Sequence, residues 1–334
     1  MTANSTSLQA TDARIASRTT SRLLGLVILV ALLGAPFVLD NYYLHAVIIS
    51  MIFLLPAHGL NLIVGYMGML SLAQGAFFGI GSYVSALAAM HFGTPFYVNF
   101  ILAGVVTGLI ALPLGIPALR LRTYSFVMCT LGLVVIGEAV AKNWVGLTRG
   151  DMGLSGVPQP VLGFGAHPFT VTTITGYYYL YLAIAVLMTG LFYALVTSPA
   201  GRSMIAIRDN EIQAEALGIP TWNYKLVVFT ISAAFAGFGG SLYAHYLTTV
   251  SPLTFQMFYS TTILIIVLGG GAGSIRGVVV GSVVFVAVSE ALRISPEYRM
   301  VMYGLVLLLL VFWLPNGLTP LIDRGLAMLS GPRK

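Results

Sequence analysis

Few side chains in this sequence are equipped for chemistry, and most of those sit inside apolar runs. His58 and His245 are two such residues. Neither has a carboxylate close in sequence or a second ligand at metal-binding spacing, so both are read as hydrogen-bonded packing residues rather than proton relays or metal ligands. Glu138 and Lys142 lie four residues apart, and Glu290 and Arg293 three apart, spacings that place each pair on one helical face as a structural ion pair. No Ser/His/Asp set and no hydrolase-like pair of carboxylates is visible, so neither an enzyme nor a cofactor is expected. The run Gly269, Gly270, Gly271, Gly273 invites comparison with a phosphate loop. Ser274, Ile275 and Arg276 follow it, however, and the lysine that would reach a nucleotide's phosphates is missing.

The elements that must position these residues are long apolar segments. Hydrophobic residues make up 58% of the chain and charged ones 8%, with a mean hydropathy of +0.93; a soluble domain carries about a quarter charged residues. The runs are too long and too uniformly apolar for barrel strands, which leaves helices as the elements that can pair every backbone amide in lipid. The expected fold is therefore all-α, a polytopic transmembrane helical bundle of about ten spans. Those spans are placed near 23–39, 43–64, 68–90, 97–119, 124–142, 176–198, 226–247, 258–275, 277–294 and 300–318.

Charge gives this bundle a direction. Of 16 Lys and Arg, 12 fall on one side of the threaded chain: Arg14, Arg18, Arg22, Arg120, Arg122, Arg202, Arg208, Lys225, Arg276, Arg324, Arg333 and Lys334. Excess basic residues mark the cytoplasmic side, so both termini are expected there, with tails at 1–22 and 321–334 flanking a membrane domain at 23–320. The net charge of +6 is thus read as topology rather than affinity for nucleic acid. The Ser/Thr-rich, basic N-terminus leading into the first run is read as an uncleaved signal anchor rather than a cleaved signal peptide. The single cysteine, Cys129, has no partner for an intrachain disulfide.

Two loops are long. The outer one, 143–175, is rich in Gly and Pro and is expected to form an irregular cap. The inner one, 198–225, is the most charged stretch of the chain. A helix is expected over Ala206 to Leu217, stopped by Gly218 and kept from resuming by Pro220. The 37 glycines cluster in the third, seventh and eighth-to-ninth spans, where they serve close helix packing or interrupt helices that face a cavity. Spans two to five and seven to ten run in opposite senses, so an inverted repeat is expected.

Four ordered blocks carry a resemblance. GLNLIVGYMGMLSLAQGAFFGIGSYVSALAA begins at Gly59. LRLRTYSFVMCTLG begins at Leu119 and is followed by NWVGLTRGDMGLSGVPQP. The stretch SPAGRSMIAIRDNEIQAEALGIPTWNYKLVVFTISAAFAGFGGSLYAHYLTTVSP begins at Ser198, and LGGGAGSIRGVVVGSVVF and LPNGL lie near the C-terminus. Together they resemble the branched-chain amino acid ABC transporter permease family over roughly residues 40 to 320. Two departures stand out: Thr148, Arg149, Gly150, Asp151 replaces a turn of Thr-Gly-Gly type, and Tyr124 replaces a glycine at the inner turn.

The resemblance implies one half of a membrane pair, completed by a paralogous permease subunit, docked on two cytoplasmic ATPase subunits and fed by a periplasmic substrate-binding protein at the inner membrane. It implies that the inner loop couples the chain to the ATPases, with Arg208, Asp209, Asn210, Glu211, Glu215 and Gly218 meeting a complementary groove. For a zwitterionic cargo, the neutral polar residues Asn61, Ser71, Gln74 and Thr130 are the candidates to line a pathway; hydrogen bonding between helices explains each of them equally well. Urea or short-amide importers have permeases that look much the same, and an ion-coupled secondary transporter or channel is the rival of a different class. A purely structural membrane scaffold is disfavoured by the charged inner helix.

Overall fold

A computed structural model describes residues 33–162, 169–291, 301, 304–305, 308–309 and 317–320. The expected spans at 23–39 and 300–318 fall largely outside the described residues, as do both tails and the pairing of Glu290 with Arg293.

Among the described residues, six helices are long and apolar enough to cross a membrane. Helix α1, Asn41–Asn61, runs on through a π turn at Leu62–Tyr66. After an irregular stretch come α2, Gln74–Phe92, α3, Phe96–Ala118, and α4, Thr123–Asn143. The loop that follows holds the short helix α5, Val145–Thr148, a 3-10 turn at Gly150–Met152, and strands β1, Leu154–Ser155, β2, Val161–Leu162, and β3, Phe169–Thr170. Helix α6, Ile174–Thr197, leads into α7, Pro199–Asp209, and α8, Glu211–Ala216. The last described membrane elements are α9, Thr221–Leu247, α10, Met257–Gly270, and α11, Ile275–Ala291; β4, Thr249–Val250, and a 3-10 turn at Pro252–Phe255 join the first two. β1 pairs antiparallel with β4, and β2 with β3. Residues 119–122, 198–220 and 271–274 share one end of the bundle, called here the basic end.

Three expectations are corrected. The third span does not begin at residue 68 but at Gln74, because Met67 to Ala73 leaves the helix after Gly68 takes a left-handed φ of +70°. The eighth span stops at Gly270, and its 14 residues give about 21 Å of helix, short of a bilayer core of about 30 Å. The expected single helix from Ala206 to Leu217 is two helices. Asn210 adopts an extended backbone between them, and its side chain caps α8 by accepting a hydrogen bond from the Gln213 N–H at 3.1 Å. Gly218 does end α8 in the expected left-handed conformation, φ +82°.

Helix α9 is the axis against which α1, α2 and α3 pack, and glycine makes that possible. A Cβ on Gly81 would lie 2.3 Å from the Gly237 Cα, and one on Gly240 would lie 2.1 Å from the Phe78 carbonyl oxygen. Backbones that close gain dispersion contact where lipid supplies no hydrophobic drive. Between them the rings of Phe53, Phe78 and Tyr259 stack. By contrast α4 touches the bundle through a narrow stripe, Phe126, Thr130, Val134 and Ala141, leaving Met128, Val135, Ile136 and Val140 exposed to whatever surrounds it.

Gly240→Val is expected to destabilise the bundle by more than about 3 kcal/mol, since its neighbours are backbone atoms that cannot give way. Gly190→Val, with nothing within 4 Å, is expected to stay within about 0.5 kcal/mol of the parent. Thermal unfolding of the detergent-solubilised variants distinguishes the two.

Candidate functional site

From Tyr66, at the basic end, the chain must climb back to the start of α2 without a helix to satisfy its amides. The bond from Gln74 Nε2 to the Ser232 hydroxyl, 2.6 Å, fixes the level it reaches. Ser232 lies about 16 Å along α9 from its first residue. Irregular backbone at such depth is tolerated only where protein or a water-filled cavity supplies the missing partners.

Here other helices supply them. The Leu72 N–H donates to Thr130 Oγ1 on α4 at 3.1 Å, and the Leu72 carbonyl accepts from Ser260 Oγ on α10 at 2.7 Å. The same Ser260 oxygen accepts from the Gly75 N–H at 2.9 Å, and Ser71 Oγ accepts from the Ala73 N–H at 3.3 Å. Leu72 is thus clasped from two sides by α4 and α10. Close approach of α10 requires Gly75, where a Cβ would lie 2.6 Å from Ser260 Oγ.

Of the four expected pathway residues, Ser71, Gln74 and Thr130 gather around this unwound segment, while Asn61 lies nearer the basic end, its Oδ1 accepting from the Gly273 N–H at 2.7 Å. All four are at most 1% exposed. Each spends an atom on an internal bond. Gln74 Oε1 and Asn61 Nδ2 have no hydrogen-bond partner among the described residues. Ser232 and Ser260 were missed from sequence: a lone serine in an apolar run carries no spacing that sets it apart from one bonded to its own helix.

At the basic end, glycines from several elements meet. Gly65 abuts Gly273, Gly270 abuts Gly277, and Gly317 abuts Gly271, each so closely that a Cβ would fall within 2.5 Å of backbone. The Leu318 N–H closes the group on the Gly269 carbonyl at 2.8 Å. Beneath this knot lies the segment made by α7 and α8, with Gly201, Met204, Ile207 and Ala214 buried. Its charges are largely engaged within the chain. Glu211 pairs with Lys225, Glu215 Oε1 accepts from the Thr221 hydroxyl at 2.5 Å, and Arg208 donates to the Gly65 carbonyl at 2.7 Å while its other edge meets Asp209 at 3.3 Å. Among the side chains left projecting are two large apolar ones, Ile212, 80% exposed, and Leu217, 81%, beside the exposed Arg202, Asp209 and Gln213. Nearby, Arg120 lies over the Trp222 ring, 5.9 Å from its centroid.

The family described as the permease component of branched-chain amino acid transport systems matches residues 42–311. The chain belongs to this permease family. It is 34% identical to the high-affinity branched-chain amino acid transport system permease protein LivM of Salmonella typhimurium (strain LT2) over 92% of the chain and 77% of that protein. LivM of Escherichia coli K12 gives the same figures. LivH of Escherichia coli K12 is 27% identical over 82% of the chain and 93% of that protein. No solved structure matches.

The histidines and the ion pair singled out in the sequence make internal contacts. His58 Nε2 bonds Thr189 Oγ1 at 3.0 Å with its ring stacked on Phe192, and His245 bonds Ser85 and the Pro158 carbonyl at 3.1 and 2.8 Å. Glu138 and Lys142 form the expected ion pair at 2.8 Å. Arg149 occupies the left-handed region at φ +59°, the conformation a glycine would take without strain in the turn where this permease departs from its family.

Ser260→Ala orphans the Leu72 carbonyl and the Gly75 N–H together. It is expected to cost about 3 kcal/mol of stability, against about 1 kcal/mol for Ser282→Ala, whose hydroxyl, among the described residues, bonds its own helix at the Val279 carbonyl. Thermal unfolding in detergent reads the difference.

Proposed function

We propose that the chain is the permease subunit of an ABC importer that carries branched-chain amino acids across the bacterial inner membrane, driven by ATP hydrolysis on separate subunits. The observation that carries the coupling is the α7–α8 segment: one face is buried against the membrane domain, and the other offers Ile212 and Leu217 where the neighbouring charges are already paired. A partner that docks here gains apolar burial, and the charges around it set register more than affinity. Two cytoplasmic ATPase subunits are the partners this fits, which puts the basic end in the cytoplasm, in keeping with the excess of Lys and Arg there. The opposite end, with its paired short strands over 154–170 and 249–250, then receives a periplasmic binding protein. The thinly attached α4 leaves a broad apolar face for lipid and a paralogous permease subunit.

The six long helices, the shorter α10 and α11, which need adjoining chain to complete a crossing, and apolar runs at 23–39 and 300–318 support a reading of about ten spans, with both termini in the cytoplasm. Residues 41–92 and 221–270 support an inverted repeat. Each is a long helix, an irregular segment and a helix that follows it, threaded in opposite senses. Asn61, Ser71, Gln74 and Thr130 open onto the pathway when the clasp around Leu72 releases; aliphatic side chains then pass an apolar wall, and neutral groups let the cargo leave.

In proteoliposomes holding the complete importer, labelled leucine, isoleucine or valine is expected to accumulate only with ATP and binding protein. Uptake of urea or acetamide instead would assign the cargo differently, and accumulation driven by an ion gradient without ATPase would contradict the reading. Ile212→Asp with Leu217→Asp is expected to lower co-purification of the ATPase subunits at least 10-fold while leaving the permease monodisperse.

A further inference from the structure

Arg208, its side chain 40% exposed, reaches from the inner loop to the end of α1. Its Nη1 donates to the Gly65 carbonyl at 2.7 Å, in the π turn that ends α1. The last carbonyls of a helix have no partner within it, and a guanidinium is the strongest neutral-to-charged donor the chain has for one. The stem of Arg208 lies along Gly68, where a Cβ would be 2.8 Å from Arg208 Cγ, and the guanidinium lies beside Gly273, 3.6 Å from where its Cβ would stand. Gly273 is held in turn by Asn61 and pressed against Gly65. One side chain therefore joins α7 to the end of α1, to the start of the unwound segment, and to the turn between α10 and α11.

The geometry points to Arg208 as a positioning residue that transmits movement of the α7–α8 segment to the unwound segment, rather than as part of the surface that meets the ATPases. This inference rests on the proposed coupling function and divides that segment in two. Ile212 and Leu217 receive the push; Arg208 delivers it inward. The route is continuous: from α7 through Arg208 to the Gly65–Gly273 contact, along α10 to Ser260, and from Ser260 Oγ to the Leu72 carbonyl and the Gly75 N–H. The Nε and Nη2 edge stays on Asp209 at 3.3 Å, at the last residue of α7, so the guanidinium is held at both ends of its fork. A lysine at this position would keep the charge and reach one acceptor but could not bridge the two.

The test uses the complete importer in proteoliposomes, with the cognate ATPase subunits, paralogous permease and binding protein. In Arg208→Ala the ATPase subunits are expected to co-purify as in the parent and to go on hydrolysing ATP, while leucine uptake per ATP hydrolysed falls at least 10-fold. Arg208→Lys is expected to fall between, with a 2- to 5-fold loss. Loss of the ATPase subunits from the Arg208→Ala complex would overturn the inference by returning Arg208 to the docking surface, and parent-like uptake per ATP in both variants would overturn it outright. Should Arg208→Ala fail to yield a monodisperse permease, Arg208→Lys decides alone: reduced coupling supports the transmission role and unchanged coupling refutes it. Failure of the underlying function looks different, since the parent complex would then take up cargo without ATP or keep its ATPases after the Ile212→Asp, Leu217→Asp change.

Discussion

A backbone amide at membrane depth has no water to bond, and the seven residues from Met67 to Ala73 pose that problem where the chain leaves the helix. The rest of the architecture answers it. Leu72 is clasped from two helices, by Thr130 of α4 and Ser260 of α10, and the first turn of α2 is secured by Ser260, Ser71 and the Gln74–Ser232 bond. Break the clasp and orphaned groups appear in the interior, each costing about 1 to 3 kcal/mol. The bonds of the clasp meet at Leu72 and Gly75, while Gln74 Oε1 beside them has no partner among the described residues. Under the proposed transport function this connection would serve as the gate, with neutral polar residues around it.

Glycine plays two different roles around that connection. Along α9 and α2 it removes side chains so that backbones touch and the scaffold stays stiff, as at Gly81 with Gly237. At the basic end it forms a knot of backbone contacts, Gly65 with Gly273 and Gly270 with Gly277, that ties helix ends together with no side chains between them to absorb a displacement. A stiff scaffold joined to a tight knot passes on a push applied at the surface. The charged loop packs beneath this knot, where the proposed push would arrive, and its carboxylates hold it to the domain: Glu211 to Lys225 and Glu215 to Thr221.

Much of this was legible from residue order. Apolar run lengths located the helices, charge asymmetry distinguished the two ends, and Gly218 marked the close of α8 because a left-handed residue was needed there. Glu138 and Lys142 paired as their spacing required. What stayed hidden were features set by partners distant in sequence. Met67 to Ala73 is as apolar as its flanks, so hydropathy started the third span at 68, six residues before the helix begins at Gln74. Ser260 and Ser232 matter only because the fold brings them to Leu72, Gly75 and Gln74. Asn210 looked like one more helical residue until its side chain proved to cap the next turn, and Glu211 and Glu215 also have partners within the chain, Lys225 and Thr221. Side-chain type showed that the inner loop was charged, but not which charges were already spent.

The most direct measurement is the reactivity of a cysteine placed at Leu72, in a chain whose single natural cysteine, Cys129, has been replaced by serine. In the complete importer a membrane-impermeant maleimide should label Leu72→Cys slowly at rest and at least 10-fold faster during ATP-driven turnover, with a cysteine at the exposed Ile212 position as the fast reference. Labelling of Leu72→Cys as fast as that reference, and unchanged by ATP, would mean that the segment lies open at the surface and gates nothing.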